Sequence, residues 1–293
     1  MTQFRPFYKQ VQAHYDLSND FFALFLDSSM TYSCAYFARP EMSLHEAQLA
    51  KIDLSLGKCD LPRKAESSNA AARMKLLDIG CGWGATARRA VENFNVDVIG
   101  LTLSKEQHAL ITQSVANTAN HIDFRLQGWE EFTEPVDRII SIGAFEHFRA
   151  ERYEAFFTRA FSLLPRGGRM MLHTIVQPEI NELRQRGIVV DHEAVMFGKF
   201  ICKNIFPGGQ LCSPQVITRH AANAGFTLAH SESLRLHYAR TLDMWANNLR
   251  AHREQAITIT NKDTYDMYMH YLTGCAHYFR TGHNDVMQFT MQK

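Results

Sequence analysis

With 293 residues, 46% of them hydrophobic and 21% charged, the chain has the make-up of one large domain, or of a core domain with a substantial cap. A formal net charge of +1 excludes a dedicated nucleic-acid binder, which needs a basic excess or stripe; short pairs such as Arg88-Arg89 make none. The six cysteines (Cys34, Cys59, Cys81, Cys202, Cys212 and Cys275) form no CxxC and the 14 histidines no HExxH, so free thiols, a cytoplasmic setting and no metal site are expected.

The opening residues, "MTQFRPFYKQVQAHYD", hold no apolar signal core, and no run approaches the roughly 20 apolar residues of a membrane helix. Residues 1–60 read as a helical N-terminal cap. "SNDFFALFL" offers Ser18, Asn19 and Asp20 as helix caps. "SLHEAQLAKIDLSL" opens on the capping box Ser43-x-x-Glu46 and keeps helical periodicity through Leu44, Ala47, Ile52 and Leu56. Between them, "MTYSCAYF" carries no helix signal. Residues 61–73, "LPRKAESSNAAAR", are polar, small and aperiodic, as in a surface loop.

From 74 to 176 strands and helices alternate. "MKLLDIG", "VDVIGLTL", "IDFRLQ", "VDRIISIGAF" and "RMMLHTIV" read as strands. "ATARRAVENF", "SKEQHALITQSVAN" (capping box Ser104-x-x-Gln107) and "ERYEAFFTRAFSLL" read as helices. Such alternation predicts an α/β fold with a doubly wound, mostly parallel sheet. Residues 177–225 read as a helical insertion broken at "IFPGGQL", and 226–293 as two further helical stretches and a closing strand, "DVMQFTMQ". The cap and the insertion are expected near the carboxyl ends of the strands, where ligands bind in this architecture.

The turn after the first strand, in "LLDIGCGWG", is Gly80-Cys81-Gly82-Trp83-Gly84, hence GxGxG. The dinucleotide fingerprint is GxGxxG with an acid about 20 residues on to bind the ribose. Here that region reads Ile99-Gly100-Leu101-Thr102-Leu103 and holds no acid, and Asp97 lies at the strand's start. Both features exclude a nicotinamide oxidoreductase. Asp78, the turn and the later "GWEEF" together resemble class I S-adenosylmethionine-dependent methyltransferases.

In chain order, "HYDLSNDFFALFLDSSMTYSCAYF", "LLDIGCGWG", "GLTLSKEQHA", "LQGWEEF", "VDRIISIGAFEHF", "MLHTI", "IFPGGQL" and "YLTGCAHYFR" resemble the cyclopropane fatty-acid synthase family, and within it the mycolic acid cyclopropane synthase and methyltransferase branch. The resemblance covers nearly the whole chain, apart from the 61–73 loop, which is longer than the family's usual connection. It implies a class I methyltransferase fold and S-adenosylmethionine as cofactor. Asp78, Gly80, Cys81, Gly82 and Gly84 then form the cofactor turn, with Gly80 and Gly82 letting backbone approach its amino-acid end and sugar. Thr102, Leu103 and Gln107 stand near ribose and adenine, Trp129 and Glu130 bracket the adenine, and Tyr32 and Ser33 close over it. Gln107 also has a capping role open to it, and Tyr32 and Trp129 also read as core aromatics.

The resemblance further implies a long unsaturated acyl substrate, delivered on an acyl carrier protein, and a bicarbonate ion as base. Its binders map onto Cys34, Glu146, His173 and Tyr238, with the backbone near Ile142. Taken alone, His173 in an apolar strand is a satisfied core histidine. An unpaired carboxylate at Glu146 is costly, and the constellation gives both a reason to be there. Cys275 is the position the family labels as active-site cysteine, although a thiol nucleophile is chemically unnecessary for this route. Phe21, Phe22, Phe25, Tyr36, Phe37, Phe206 and Phe279 are collectively a candidate acyl channel. Lys199 and Lys203 present either a carrier-protein contact or a solvated face. The expected outcome is cyclopropanation of a cis olefin. A methyl-branched alcohol, a migrated double bond and a non-catalytic acyl binder are the alternatives.

Overall fold

The computed structural model describes residues 4–7, 18–66, 72–115 and 121–293; the start of the first motif, "HYDL", and part of the 61–73 loop lie outside them. Seven strands form one sheet: β1 Met74–Ile79, β2 Val96–Thr102, β3 Ile122–Leu126, β4 Arg138–Ile142, β5 Arg169–Val176, β6 Thr227–Ser233 and β7 Asp285–Gln292. Their order is β3-β2-β1-β4-β5-β7-β6. The first five are parallel, β7 runs antiparallel to β5, and β6 antiparallel to β7. The order reverses between β1 and β4, which opens a crevice at their carboxyl ends.

The helices are α1 Asn19–Ala23, α2 Leu44–Lys58, α3 Ala85–Asn93, α4 Lys105–Val115, α5 Tyr153–Leu163, α6 Ile180–Gln185, α7 His192–Phe200, α8 Pro214–Ala224, α9 Arg235–Ala251, α10 Arg253–Ile259 and α11 Lys262–Thr281. Several start where their caps predict. Ser18 Oγ accepts from Phe21 N, and Ser43 and Glu46 form the reciprocal capping box of α2. At α4 the box is half made. Ser104 Oγ accepts from Gln107 N, but the Gln107 amide turns away and accepts from Thr102 Oγ1 at 2.9 Å.

Three features depart from the sequence reading. The strand at "VDRIISIGAF" ends at Ile142, so Glu146 rides a 3-10 turn, Phe145–His147, beyond it. Strand β6 had no signal: "TLAHSES" is an edge strand whose side chains are largely exposed, so no apolar alternation marks it. Residues 24–43 of the expected helical cap are irregular. Their backbone is satisfied by buried side chains instead, with Gln48 Nε2 donating to Ser33 O at 2.7 Å and Asp27 accepting from Ser29 N and Thr31 N.

One face of α2 is unusual. Lys51, Ser55 and Lys58 follow one another at i, i+4 and i+7, a stripe that normally holds apolar residues. Lys51 and Ser55 are fully buried, and the stripe meets side chains that rise from the sheet.

Candidate active site

The glycine turn sits at the carboxyl end of β1. Gly80 N and Cys81 N both donate to Leu101 O at 2.9 Å, which pins the turn to β2. Gly80 has φ +83°, and a Cβ there would stand 2.4 Å from Ala144 Cβ. Only glycine fits such a place. Gly82 also has positive φ, but its missing side chain faces open space. Gly84 is different: a Cβ there would meet Phe124 at 2.7 Å, so it packs the N-terminus of α3 against β3. The Cys81 side chain is buried in the core cluster.

A small cavity of about 80 Å³ lies beside Gly80, walled by Thr102, Leu103, Trp129, Glu130 and Phe148, with Phe7 across it. Trp129 is held against Phe148 and Phe156 at ring distances of 5.6 and 5.3 Å. Glu130 Oε1 accepts from Arg152 Nη1 at 2.7 Å, while Glu130 Oε2 is buried with no hydrogen-bond partner among the described residues. Burial raises the Glu130 carboxyl, against the pull of Arg152. Arg152 also donates to Arg5 O and lies 3.5 Å from the Phe7 ring centroid, which ties the N-terminal segment over this cavity. An aromatic wall, an orphaned buried carboxylate oxygen and a turn with no side chain on its open face fit an adenosyl cofactor. Gln107 is buried but does not reach the cavity wall; its contact is Thr102.

Asp78 stands behind the turn rather than in a cavity wall. It is 2% exposed and its Oδ2 has no hydrogen-bond partner among the described residues. Burial pushes its carboxyl up to about 7, against the attraction of the Lys51 ammonium. Burial in turn brings Lys51 down to about 8. Lys51 Nζ donates to Ser33 Oγ at 2.6 Å. Ser33 and Tyr32 lie in the wall of the second, larger cavity, and the Tyr32 hydroxyl donates to Tyr271 at 3.1 Å.

That larger cavity measures about 520 Å³, and Cys34, Glu146, His173, Tyr238 and Cys275 all line it. Gly143 and His147 line both cavities, so the two meet there. Glu146 Oε1 accepts from Ile175 N at 2.7 Å, and its buried Oε2 has no hydrogen-bond partner among the described residues. Burial raises this carboxyl, opposed by the Ile175 hydrogen bond. Ile142 pairs with His173 across β4 and β5, and Gly143 N donates to His173 O. His173 is 1% exposed; burial and then the charges of Lys51 and Lys58 hold its imidazole well below the usual range, hence neutral. Cys34 Sγ donates to Ala35 O at 3.1 Å. Burial raises both the Cys34 and the Cys275 thiols far above the usual range, so both stay protonated.

The rest of the large cavity is mostly apolar and comes from α6, α7, the segment after it and α11, including Leu183, Phe197, Ile201, Phe206 and Phe279. Of the seven aromatics expected to form an acyl channel, only Phe206 and Phe279 line it. Phe21, Phe22 and Phe25 instead pack among themselves and against Tyr268 in the core, and Phe37 lies under Arg240. Fully apolar residues find more burial in a packed cluster than along an open channel. Lys199 and Lys203 are exposed. Sequence reasoning missed Lys51, His147 and Gln288. A lysine on the apolar stripe of a helix and a glutamine within an apolar strand were the available signals.

Comparison with known proteins agrees with this geometry. A profile described as "Mycolic acid cyclopropane synthetase" matches residues 2–289. The chain is 53% identical over 294 residues to Cyclopropane mycolic acid synthase 3 of Mycobacterium tuberculosis, covering 100% of this chain and 99% of that one. It is 49% identical to the S-adenosylmethionine-dependent methyltransferase UmaA of the same organism, with 100% of both chains covered. Among solved structures, the cyclopropane synthase MmaA2 from Mycobacterium tuberculosis superposes with a TM-score of 0.94 at 50% identity, covering 98% of this chain and 99% of that one. The mycolic acid cyclopropane synthase CmaA1 complexed with SAH and CTAB superposes with a TM-score of 0.93 at 52% identity, covering 99% of each. The chain belongs to the mycolic acid cyclopropane synthetase family: it is an S-adenosylmethionine-dependent methyltransferase with the class I fold.

Proposed function

We propose that this enzyme adds a methylene group to a cis double bond of a long meromycolic-type acyl chain, closing a cyclopropane ring, with bicarbonate as the base. The observation that carries this reading is that Cys34, Glu146, His173 and Tyr238 line one largely apolar cavity of about 520 Å³, which shares Gly143 and His147 with the smaller cavity on the cofactor side. Gly80, Thr102, Leu103, Trp129 and Glu130 hold the adenosyl part of the cofactor, with Tyr32 and Ser33 at its reacting end. Gln107 acts through Thr102, and Asp78, Cys81, Gly82 and Gly84 shape the turn. Bound S-adenosylmethionine supplies an electrophilic sulfonium methyl group.

The olefin takes that methyl through its π electrons and is left with a positive charge on its other carbon. Loss of a proton from the new methyl frees the C–H electron pair, which closes the ring. Cys34, Glu146, His173 and Tyr238, with the backbone near Ile142, would hold a bicarbonate, which would supply the base for that proton. Water in this space would capture the cation instead, so the walls of Leu183, Phe197 and Ile201 serve to exclude it. Tyr32, Tyr238, Tyr271 and Phe279 line the cavity, and aromatic faces turned to the cation would favour positive charge there. Cys275 packs beside the chain as a thiol. An acyl carrier protein would deliver the substrate and meet the exposed Lys199 and Lys203.

The test is a product assay with methyl-labelled S-adenosylmethionine and a cis-olefinic acyl carrier-protein substrate, read by mass spectrometry and proton NMR. An added CH₂, loss of the olefin and upfield ring protons are expected. A methyl beside a hydroxyl would move the enzyme to the water-capture branch. Cofactor binding with no transfer to any olefin would overturn the reading in favour of a binder.

A further inference from the structure

Behind the large cavity a row of polar side chains crosses the sheet at one level. Glu232 on β6 pairs in register with Gln288 on β7, Gln288 with His173 on β5, and His173 with Ile142 on β4. Lys58 and Ser55 of α2 close over Gln288, which is fully buried. None of Lys58, Ser55, Gln288 and Glu232 lines the cavity, so the acyl pocket does not account for them.

The hydrogen-bond directions along this row are forced. Lys58 pairs with Glu232 and donates to Gln288 Oε1. An ammonium has no acceptor, so the oxygen of the Gln288 amide must face Lys58 and its nitrogen must face the other way. That nitrogen lies 3.0 Å from Ser55 Oγ and 3.2 Å from His173 Nδ1. Ser55 spends its own proton on Lys51 O at 2.8 Å, so it accepts from the amide. The second amide hydrogen is left for His173 Nδ1, which must accept it. A neutral imidazole has one N–H. It is therefore on Nε2, which is buried with no hydrogen-bond partner among the described residues, in a side chain that lines the cavity.

We infer that Lys58, Gln288 and Ser55 are positioning residues that lock His173 as the Nε2–H tautomer, so that it presents a hydrogen-bond donor to an anion in the cavity and cannot take up the methyl proton itself. A ring with the proton on Nδ1 would turn a lone pair toward the anion and repel it. The assignment also divides the labour at the site: His173 orients, and the proton goes to the base that His173 holds. The anion's part of this inference rests on the reading given above; the tautomer does not.

Long-range proton–nitrogen correlation spectra of the intact enzyme labelled with ¹⁵N-histidine read the tautomer directly, with the His173 signals assigned by their loss in His173→Asn. A protonated Nε2 and an unprotonated, accepting Nδ1 are expected, and the reverse pattern overturns the inference. Gln288→Glu offers only acceptors to Nδ1 and is expected to move the proton there. It should raise the bicarbonate concentration giving half-maximal rate about tenfold, with the cofactor KM unchanged. Lys58→Met frees the amide to flip and should blur the tautomer, and Lys58→Arg, also a pure donor, should restore it. A fold defect would move the cofactor KM and would not be rescued by arginine, so equal effects of Met and Arg overturn the inference. If the tautomer is as assigned but turnover is indifferent to bicarbonate, the lock stands and the bicarbonate part of the proposed function falls.

Discussion

The two cavities that meet at Gly143 and His147 are built in opposite ways. The small one is made by a turn and the loops at three neighbouring strand ends. Its bare backbone at Gly80 belongs to one short glycine turn, which Leu101 and Ala144 then hold in place. The large one draws its polar groups from four places: Cys34 in the irregular N-terminal segment, Glu146 on a 3-10 turn, His173 on β5 and Tyr238 on α9. Its apolar walls come from elements inserted after β5 and from α11. The proposed cofactor grip thus starts from one local turn, whereas the proposed placement of the olefin and its base is a property of the assembled fold. Substitutions in one cavity should spare the other, and the following experiments sharpen or break that separation.

The largest effect is expected at Gly80→Ala. A methyl group there meets Ala144 at 2.4 Å on a backbone with φ +83°, which should cost about 3 kcal/mol in cofactor affinity, stability or both. Calorimetry with S-adenosylhomocysteine measures it, and an unperturbed titration would show that the turn has slack. Next is Glu146→Gln, which should lower turnover about 100-fold and leave cofactor binding intact. Unchanged turnover would remove Glu146 from the chemistry.

His147 belongs to both cavities and titrates accordingly. Burial holds its imidazole down at about 4. Between the ordinary value near 6.5 and 4, the unfolded chain takes up a proton that the folded chain refuses. The stability this group contributes is therefore full above pH 6.5 and lost as pH falls to about 4. Relative to His147→Gln, the enzyme should lose about 3 kcal/mol of unfolding free energy across that window; a constant difference in urea melts would show that the ring is solvated.

Gly198 on α7 lines the large cavity, and a Cβ there meets nothing within 4 Å. Gly198→Leu should reduce kcat/KM for long acyl chains about tenfold without touching the cofactor KM. If short and long chains suffer equally, the acyl chain runs elsewhere. The smallest effect is expected at Cys275→Ala. A thiol held protonated by burial contributes packing alone, so turnover should change less than about threefold. A larger loss would bring the thiol into the chemistry.

Much of the fold was legible because its signals are local. Alternation of strand and helix from 74 to 176, the caps at Ser18, Ser43 and Ser104, and the closing strand β7 each rest on residues a few positions apart. The glycine turn was readable from its GxGxG spacing, whereas Cys34, Glu146, His173, Tyr238 and Cys275 were named through resemblance, and the structure brings these five to one cavity. Strand β6 was not readable, because an exposed edge strand needs only a partner's backbone and leaves its side chains free to be polar. The acyl channel was misread because phenylalanine content says how much apolar surface must be buried, and not against what.

The amino-acid sequence alone thus determined most of the elements and the bare turn, which depend on short-range pattern, and the family, through ordered motifs along the chain. Only the tertiary structure decided which groups share a cavity, and which way a proton points within it. The polar stripe of α2 shows why. Lys51, Ser55 and Lys58 look like solvated residues until the helix is laid on the sheet. There Lys51 meets Ser33, Ser55 meets Gln288, and Lys58 fixes the amide that faces His173. Hydrogen-bond direction is a property of a closed network, and the network closes only when distant segments are packed together.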